Sequence, residues 1–440
     1  MKELLKSSNW ISGLQWLFFI FTNIVVIPIT VGAAFDLPQG KIVSMLQLSF
    51  IVTGLACIVQ ALVGHKRAIM EGQSGLWWGV ILALGTTAAA QGMPLDVLGG
   101  SLTVGVIISA ILTFLIGITG LGPHLAKLFT PAVMGVFMFL FGCQIIRIFL
   151  KGMLGIPFGN GADNAHIDLP ISLLSIIIAI LVIVISVKAP VSIRRYGLLI
   201  GIIVGWIAYS LIFHSGNTTS ESGSFSLDLF PLGKPAWDPG IIITAVLAGL
   251  LNSANTFGAL KGTESMYKVK TTNSEYRVSF VITGIFTFIA GLFGLVPYSP
   301  YVSSIGFLSQ TGILKRMPFI LGGFMFLVMG LIPPLGHFFS LLPLSIGSAA
   351  LFVSYLLLLN SSFAFFRQVK FNTINAYRSA VPLFVGIIIM TLPASYFESI
   401  PSVIRPLLSS GLLMGIILAL LMENLIKWDR YGVEDDSKKA

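Results

Sequence analysis

Apolar stretches of membrane-spanning length follow one another from Trp10 to Met422, separated only by short polar turns. A bilayer core about 30 Å thick takes about 20 apolar residues of helix. A chain built almost wholly of such stretches has one fold class open to it, an all-α polytopic membrane protein. Composition agrees: 10% of the 440 residues are charged, against about a quarter in soluble domains, and mean hydropathy is +0.94.

Fourteen segments can be read. The first seven lie at 11–32, 42–63, 74–91, 98–119, 130–150, 170–187 and 196–213; the second seven lie at 240–260, 278–297, 303–314, 317–336, 338–359, 380–397 and 403–424. An even number puts both termini on one side. With that side cytoplasmic, all but five of the 26 lysines and arginines fall on inside segments, the exceptions being Lys41, Arg147, Lys151, Lys234 and Arg405. Such asymmetry is the positive-inside rule. It assigns the net charge of +9 to orientation in a plasma (inner) membrane rather than to a nucleic-acid surface. The apolar stretch near the N-terminus is too long for a signal h-region and reads as a retained first span.

Other classes fall on chemistry. Cys57 and Cys143 lie inside apolar runs and form neither a disulfide framework nor a metal spacing. The five histidines sit at or beyond the ends of apolar runs and make no metal motif. No Walker A sequence is present, and the longest polar stretch, between His214 and Pro239, is too short to hold a nucleotide domain. No catalytic residues, metal or cofactor are expected.

Dividing the chain near residue 226 leaves seven segments on each side. An odd number per half inverts one half relative to the other, the arithmetic of a 7+7 inverted repeat. Thr130-Pro131-Ala132-Val133-Met134-Gly135 opens the fifth segment and Pro343-Leu344-Ser345-Ile346-Gly347 opens the twelfth, each with proline four residues before glycine. The interrupted pair is the third segment, entered through Gly72 to Gly75, and the tenth, entered from Pro297 to Gly306. Inverted-repeat transporters bind substrate where such discontinuous segments meet.

No ionisable residue occupies the middle of a segment. Amides and hydroxyls do: Asn23 in the first, Asn252, Ser253, Asn255 and Thr256 in the eighth, Ser303 and Ser304 at the tenth. Asn252 and Asn255 share a helix face with Thr256. Amides both donate and accept, which suits a neutral planar heterocycle, although Asn and Ser also serve as helix–helix glue. Trp77 and Trp78 can stack on a ring or fill the bundle. Glu71 has two readings: a carboxylate beside the cavity, or a rim residue paired with Arg67. Asp96 and Glu264 read as residues at segment ends.

These residues resemble a known family. Gln15-Trp16-Leu17-Phe18 through Ile27-Pro28, Gly64-His65-Lys66-Arg67 with Gly72-Gln73-Ser74, Leu128 through Gly135, and Ser303-Ser304-Ile305-Gly306 through Thr311-Gly312 are similar to elements of the nucleobase–ascorbate transporters. These are also called nucleobase–cation symporters of the uracil/xanthine permease type. The resemblance runs nearly end to end. It implies short strands in segments three and ten, a core domain of 1–128 and 240–337, and a gate domain of 129–213 and 338–425. Between and beyond these it leaves an extracytoplasmic loop at 214–239 and a cytoplasmic tail at 426–440. It implies a substrate site between segments three, eight and ten, coupling to protons or sodium, and a homodimer. Departures fall on that site. Asn252 stands where the family has glutamate, Thr256 where uracil permeases have histidine, and Ser303 and Ser304 replace a glutamate or glutamine and an asparagine. Gly75 replaces an aromatic, Trp77 matches a second one, and Asn23 replaces alanine.

The expectation is a secondary active permease for a purine, pyrimidine or similar small heterocycle, working by alternating access. Its substrate-binding candidates are Asn23, Gly75, Trp77, Asn252, Asn255, Thr256, Ser303 and Ser304, and Glu71 is the ion-coupling candidate. An anion carrier of the sulfate-permease type on the same fold is the alternative.

Overall fold

The structure, a computed structural model, describes residues 7–90, 92–156, 166–194, 196–213, 225–370, 372–426 and 428. Lys2 and Lys6, the first part of the expected loop (214–224) and nearly all of the expected tail lie outside the described residues. In chain order the elements are α1 Ser7–Ile24, α2 Val26–Ala34, α3 Gln39–Leu62, β1 Glu71–Gln73, α4 Gly75–Ala90, α5 Leu95–Thr119, α6 Gly122–Leu125 and α7 Pro131–Met153. Then follow α8 Leu169–Lys188, α9 Val191–Arg194, α10 Gly197–Ile212, α11 Pro239–Tyr267, α12 Asn273–Leu292, β2 Tyr298–Pro300 and α13 Ser304–Thr311. The chain continues through α14 Arg316–Gly330, α15 Pro333–Ser340, α16 Leu344–Leu356, α17 Leu358–Phe366, α18 Thr373–Thr391, a 3-10 turn at Ala394–Phe397, α19 Arg405–Leu408 and α20 Gly411–Leu425.

Helix starts are set by local chemistry. Thr130, Asp168 and Asp238 accept hydrogen bonds from backbone amides of α7, α8 and α11, each with a proline in the first two positions, where its missing N–H costs nothing. Thr272 and Glu275 form a capping box on α12. Gly120 ends α5 in the left-handed conformation at φ 73°.

Among the described residues eight helical stretches are long and apolar enough to cross a membrane, with α1 and α2 forming one of them, and the bent pair α14–α15 makes a ninth. α4, α10, α18 and α20 are shorter apolar helices. The protein is therefore a multi-pass helical membrane protein. α8 fits that setting: it buries one narrow face and exposes Leu173, Ile176, Ile177, Ile180 and Val184.

Several sequence boundaries shift, among them the segment read at 403–424, whose helix α20 begins at Gly411, and the one read at 240–260, whose helix α11 runs to Tyr267. The segment read at 317–336 ends at Gly330, and the chain turns by 88° into α15 at Pro333-Pro334, because proline cannot continue the backbone ladder. The segment read at 338–359 is found at 344–366 as α16 and α17. The one read at 380–397 begins at Thr373, where Asn372 caps α18; polar Thr373, Asn375 and Arg378 had masked its first turns.

Packing falls into two groups. In one, α3 and α1 pack on α14 while α12 and α11 pack on α5; in the other, α7 packs on α16, α17, α18 and α20, with α8 and α10 against α16. Small residues let backbones touch: a Cβ on Gly54 of α3 would lie 2.5 Å from the carbonyl oxygen of Gly323 in α14, and one on Gly284 of α12 would lie 2.8 Å from the amide of Phe114 in α5. Within the first group, β1 and β2 pair antiparallel, Glu71 opposite Pro300, Gly72 opposite Ser299 and Gln73 opposite Tyr298. The expected short strands before α4 and α13 are thus present. Ser74 N–H to the Pro297 carbonyl (2.7 Å) and Tyr301 N–H to the Met70 carbonyl (2.8 Å) extend the ladder at both ends. All six strand residues are buried, so this non-helical backbone is shielded by protein.

Candidate functional site

The two strands deliver the chain to α4 and α13, whose first turns meet at a cavity beside α11. Gly75, Asn255, Ser299, Tyr301 and Ser303 line it on one side, and Met138 and Phe141 of α7, Tyr355 of α16 and Leu358 of α17 line the other. The cavity therefore sits on the seam between the two packing groups. Its free space, about 30 Å³, takes about a water molecule and is too small for a heterocycle: the site is closed. Among the described residues no charged side chain lines it. The Tyr301 hydroxyl donates to the Gln73 carbonyl, and the Tyr355 hydroxyl lies against that of Tyr301, joining the two sides.

Asn252 and Asn255, three residues apart, do share a face of α11, but their bonding differs. Asn252 accepts from Ser74 Oγ (2.6 Å) and from Asn255 Nδ2 (2.9 Å), and donates to the Tyr298 carbonyl (3.0 Å). It is a brace that ties α11 to both interrupted segments. Asn255 donates to Asn252 and to Ser74 Oγ (3.4 Å), while among the described residues its own Oδ1 takes no protein partner. Of the two amides, Asn255 is the one that borders the seam cavity.

A second, smaller cavity of about 10 Å³ lies on the other side of Asn252, walled by Trp77, Ser109, Thr113, Ser253, Thr256, Phe280, Thr283 and Thr287. The candidates therefore divide. Gly75, Asn255 and Ser303 border the cavity on the seam; Trp77, Asn252 and Thr256 border the internal one. Ser304 accepts from the Met70 amide (3.1 Å) and holds the strands. Asn23 donates to the Phe19 carbonyl (2.8 Å), its buried Oδ1 has no partner among the described residues, and it borders neither cavity. Trp78 packs on Phe149 and donates to Thr30 (2.8 Å), so of the paired tryptophans this one is packing.

The rim reading of Glu71 fails. Glu71 is fully buried, accepting from Thr283 Oγ (2.7 Å) and Gln60 Nε2 (3.1 Å). Arg67 instead donates to the Leu260 carbonyl (2.8 Å), Thr263 (3.0 Å) and Thr271 (3.1 Å), and pairs with Glu275 at 3.8 Å. In the turn after α3, burial and the nearby Arg67 charge push His65 down to about 3, so it stays neutral near pH 7 and accepts from the Arg67 amide.

Sequence reasoning missed Ser74, Tyr301, Phe141, Tyr355, Gln60 and Thr283. A tyrosine within a membrane segment needs a partner for its hydroxyl, and that was the one signal for Tyr355. Nothing distinguished Thr283 from the other hydroxyls of its helix.

Comparisons with known proteins agree with this architecture. The putative purine permease YwdJ of Bacillus subtilis (strain 168) is 29% identical over 432 residues, covering 96% of each chain. The uric acid permease PucJ of the same organism is 24% identical, covering 93% of this chain and 90% of that one, and its xanthine permease is 22% identical, covering 97% and 94%. In fold, the chain resembles the transmembrane domain of the cyanobacterial bicarbonate transporter BicA, with a TM-score of 0.61, 15% identity and coverage of 94% and 97%. It also resembles murine Slc26a9 in the inward-facing state, with a TM-score of 0.60, 13% identity and coverage of 95% and 68%. Residues 7–395 match the family described as a permease family, the xanthine/uracil permeases, and the chain belongs to that family.

Proposed function

We propose that this protein is a secondary active transporter of a nucleobase, of the purine class, and that it binds its substrate in the seam cavity with Asn255, Gly75 and Ser303. One observation carries the reading: an uncharged amide, hydroxyl and aromatic lining stands where two interrupted segments cross, in a chain whose full-length relatives are named purine, uric acid and xanthine permeases. Amides and hydroxyls pair with the alternating donors and acceptors of a purine edge.

Residues 1–128 and 240–337 form a core and 129–213 and 338–425 a gate, with α15 at the join. Transport rocks one against the other across the seam. Fourteen segments in two inverted halves draw support from the packing, because shifting by seven carries several of the main helix pairs onto one another. α12 on α5 becomes α3 on α14, α11 on α5 becomes α1 on α14, and α16 on α8 becomes α7 on α18. In this reading the protein lies in the plasma membrane with both termini cytoplasmic and works as a homodimer.

The second reading is a carrier of small anions. It draws on the first turns of α4 and α13, whose partial positive charge borders the cavity through Gly75 and Ser303. Thermal stabilisation of the purified protein separates the two. Xanthine, urate and adenine are compared with uracil, bicarbonate and sulfate. A purine at a hundredfold excess over its Kd should stabilise by about 2.7 kcal/mol, and Asn255→Ala should abolish the shift. Stabilisation by bicarbonate or sulfate with none from any nucleobase would overturn the purine assignment.

A further inference from the structure

Two features of the core have no place in substrate recognition: the buried Glu71 carboxyl and the small internal cavity beyond Asn252. We propose that they form one device. Glu71 carries the proton that couples transport, and Thr283 with a water in that cavity connects it to the wall of the substrate site. This rests on the reading of the protein as a transporter and extends it to the ion and its route.

Glu71 is fully buried. Its contacts are Thr283 Oγ on one carboxyl oxygen, Gln60 Nε2 on the other, and Cys57 Sγ on its backbone carbonyl at 3.2 Å. Among the described residues no lysine, arginine or histidine bonds to it. α1 carries no ionisable side chain. α3 offers the thiol of Cys57, with Lys41 at its far end; β2 offers the phenol of Tyr298, bonded to Thr53 at 2.9 Å. On α12 the ionisable groups, Glu275, Tyr276 and Arg277, sit in its opening turns, six or more residues before Thr283. A bare carboxylate in such surroundings is costly, so the carboxyl holds a proton when the site is closed.

A metal cation is disfavoured by the same geometry. The Gln60 amide nitrogen lies 3.1 Å from Glu71 Oε2, 3.2 Å from the Ser279 carbonyl and 3.3 Å from Thr283 Oγ. It fills the point on which those oxygens converge, and a nitrogen that donates there excludes a sodium ion.

The route follows from Thr283, which both bonds Glu71 and lines the internal cavity with Ser109, Ser253, Thr256, Thr287 and Asn252. At about 10 Å³ and rich in hydroxyls, this cavity is of the size and polarity that hold one water. With Glu71 ionised, the Thr283 hydroxyl donates to it across the 2.7 Å contact. With Glu71 protonated, the carboxyl O–H donates to Thr283 Oγ, and the Thr283 hydrogen turns to the water. Proton release then breaks the Glu71 O–H bond and forms a new one at Thr283, while the original Thr283 hydrogen passes to the water. One proton moves, and the carboxylate left behind keeps both donors. The water abuts Asn252, whose amide is bonded to Asn255 in the substrate cavity.

The test has two readouts, one of which needs no substrate. Infrared spectra of the purified full-length protein near pH 7 should contain a protonated-carboxyl stretch that Glu71→Gln removes; if that variant fails to fold, Glu71→Asp should shift the band. Thr283→Val should keep the band but slow its loss after an alkaline pH jump at least tenfold, and Thr283→Ser should restore the rate. In proteoliposomes containing a pH dye, xanthine entry should acidify the lumen. Glu71→Gln should reduce that acidification at least tenfold while keeping xanthine counterflow. A band insensitive to Glu71, unchanged kinetics in Thr283→Val, or stabilisation by sodium that Glu71→Gln abolishes would each overturn the proposal. Absence of any xanthine response in the wild type would count against the nucleobase reading alone, since the infrared result decides Glu71 independently.

Discussion

At Gly75 the reason for a residue is a distance. A Cβ built there would lie 2.6 Å from Cζ of Phe141 across the seam, closer than real side chains approach, so glycine is what lets the two sides meet. Gly75→Ala should therefore hold the seam apart and cut uptake of the transported nucleobase at least tenfold with a small change in melting temperature. Pairing it with Phe141→Leu should recover much of the loss; uptake at the wild-type rate in the single variant would refute the contact. Sequence alone offered Gly75 as a departure from a family aromatic, without the ring that now occupies its space. The asparagines teach the same lesson. Their spacing put Asn252 and Asn255 on one face, and that holds. Which amide serves as the brace depends on Ser74 and the Tyr298 carbonyl, brought in by other segments, and no local pattern carries that information.

Among elements, the interrupted pair was legible because Gly72-Gln73-Ser74-Gly75 and the stretch from Pro297 to Gly306 break helical periodicity where an apolar run should begin. Their mutual pairing was not legible, since three-residue strands have no alternation long enough to register. Prolines moved the boundaries that a hydropathy window missed, as at Pro333-Pro334. The helix pairs that hold the strands in place depend on backbone contact. Gly54→Val should destabilise by about 1–3 kcal/mol through overpacking against Gly323, read as a lowered melting temperature in detergent. Gly40→Ala on the same helix, where a Cβ meets open space, should leave it unchanged. Equal melting temperatures for the two would remove the close α3–α14 approach from the account.

For the whole molecule, charge asymmetry predicts a topology of fourteen segments in two inverted halves. Cysteines introduced in a background lacking Cys57 and Cys143 test it. Lys270→Cys, in the exposed turn after α11, should react only from the cytoplasmic side, and Lys234→Cys, in the turn before α11, only from outside. The same sidedness for both would break the fourteen-segment scheme. The β1–β2 ladder carries a mechanical consequence as well. It joins one strand from each half of the chain by three paired positions and closes over Glu71 on one side and Gly75 on the other. So short a clasp has no slack: its halves cannot slide and stay paired. On the proposed coupling, passenger and proton would travel in the same carriage, and the joint left to open is the seam, where Tyr355 meets Phe141 and Tyr301.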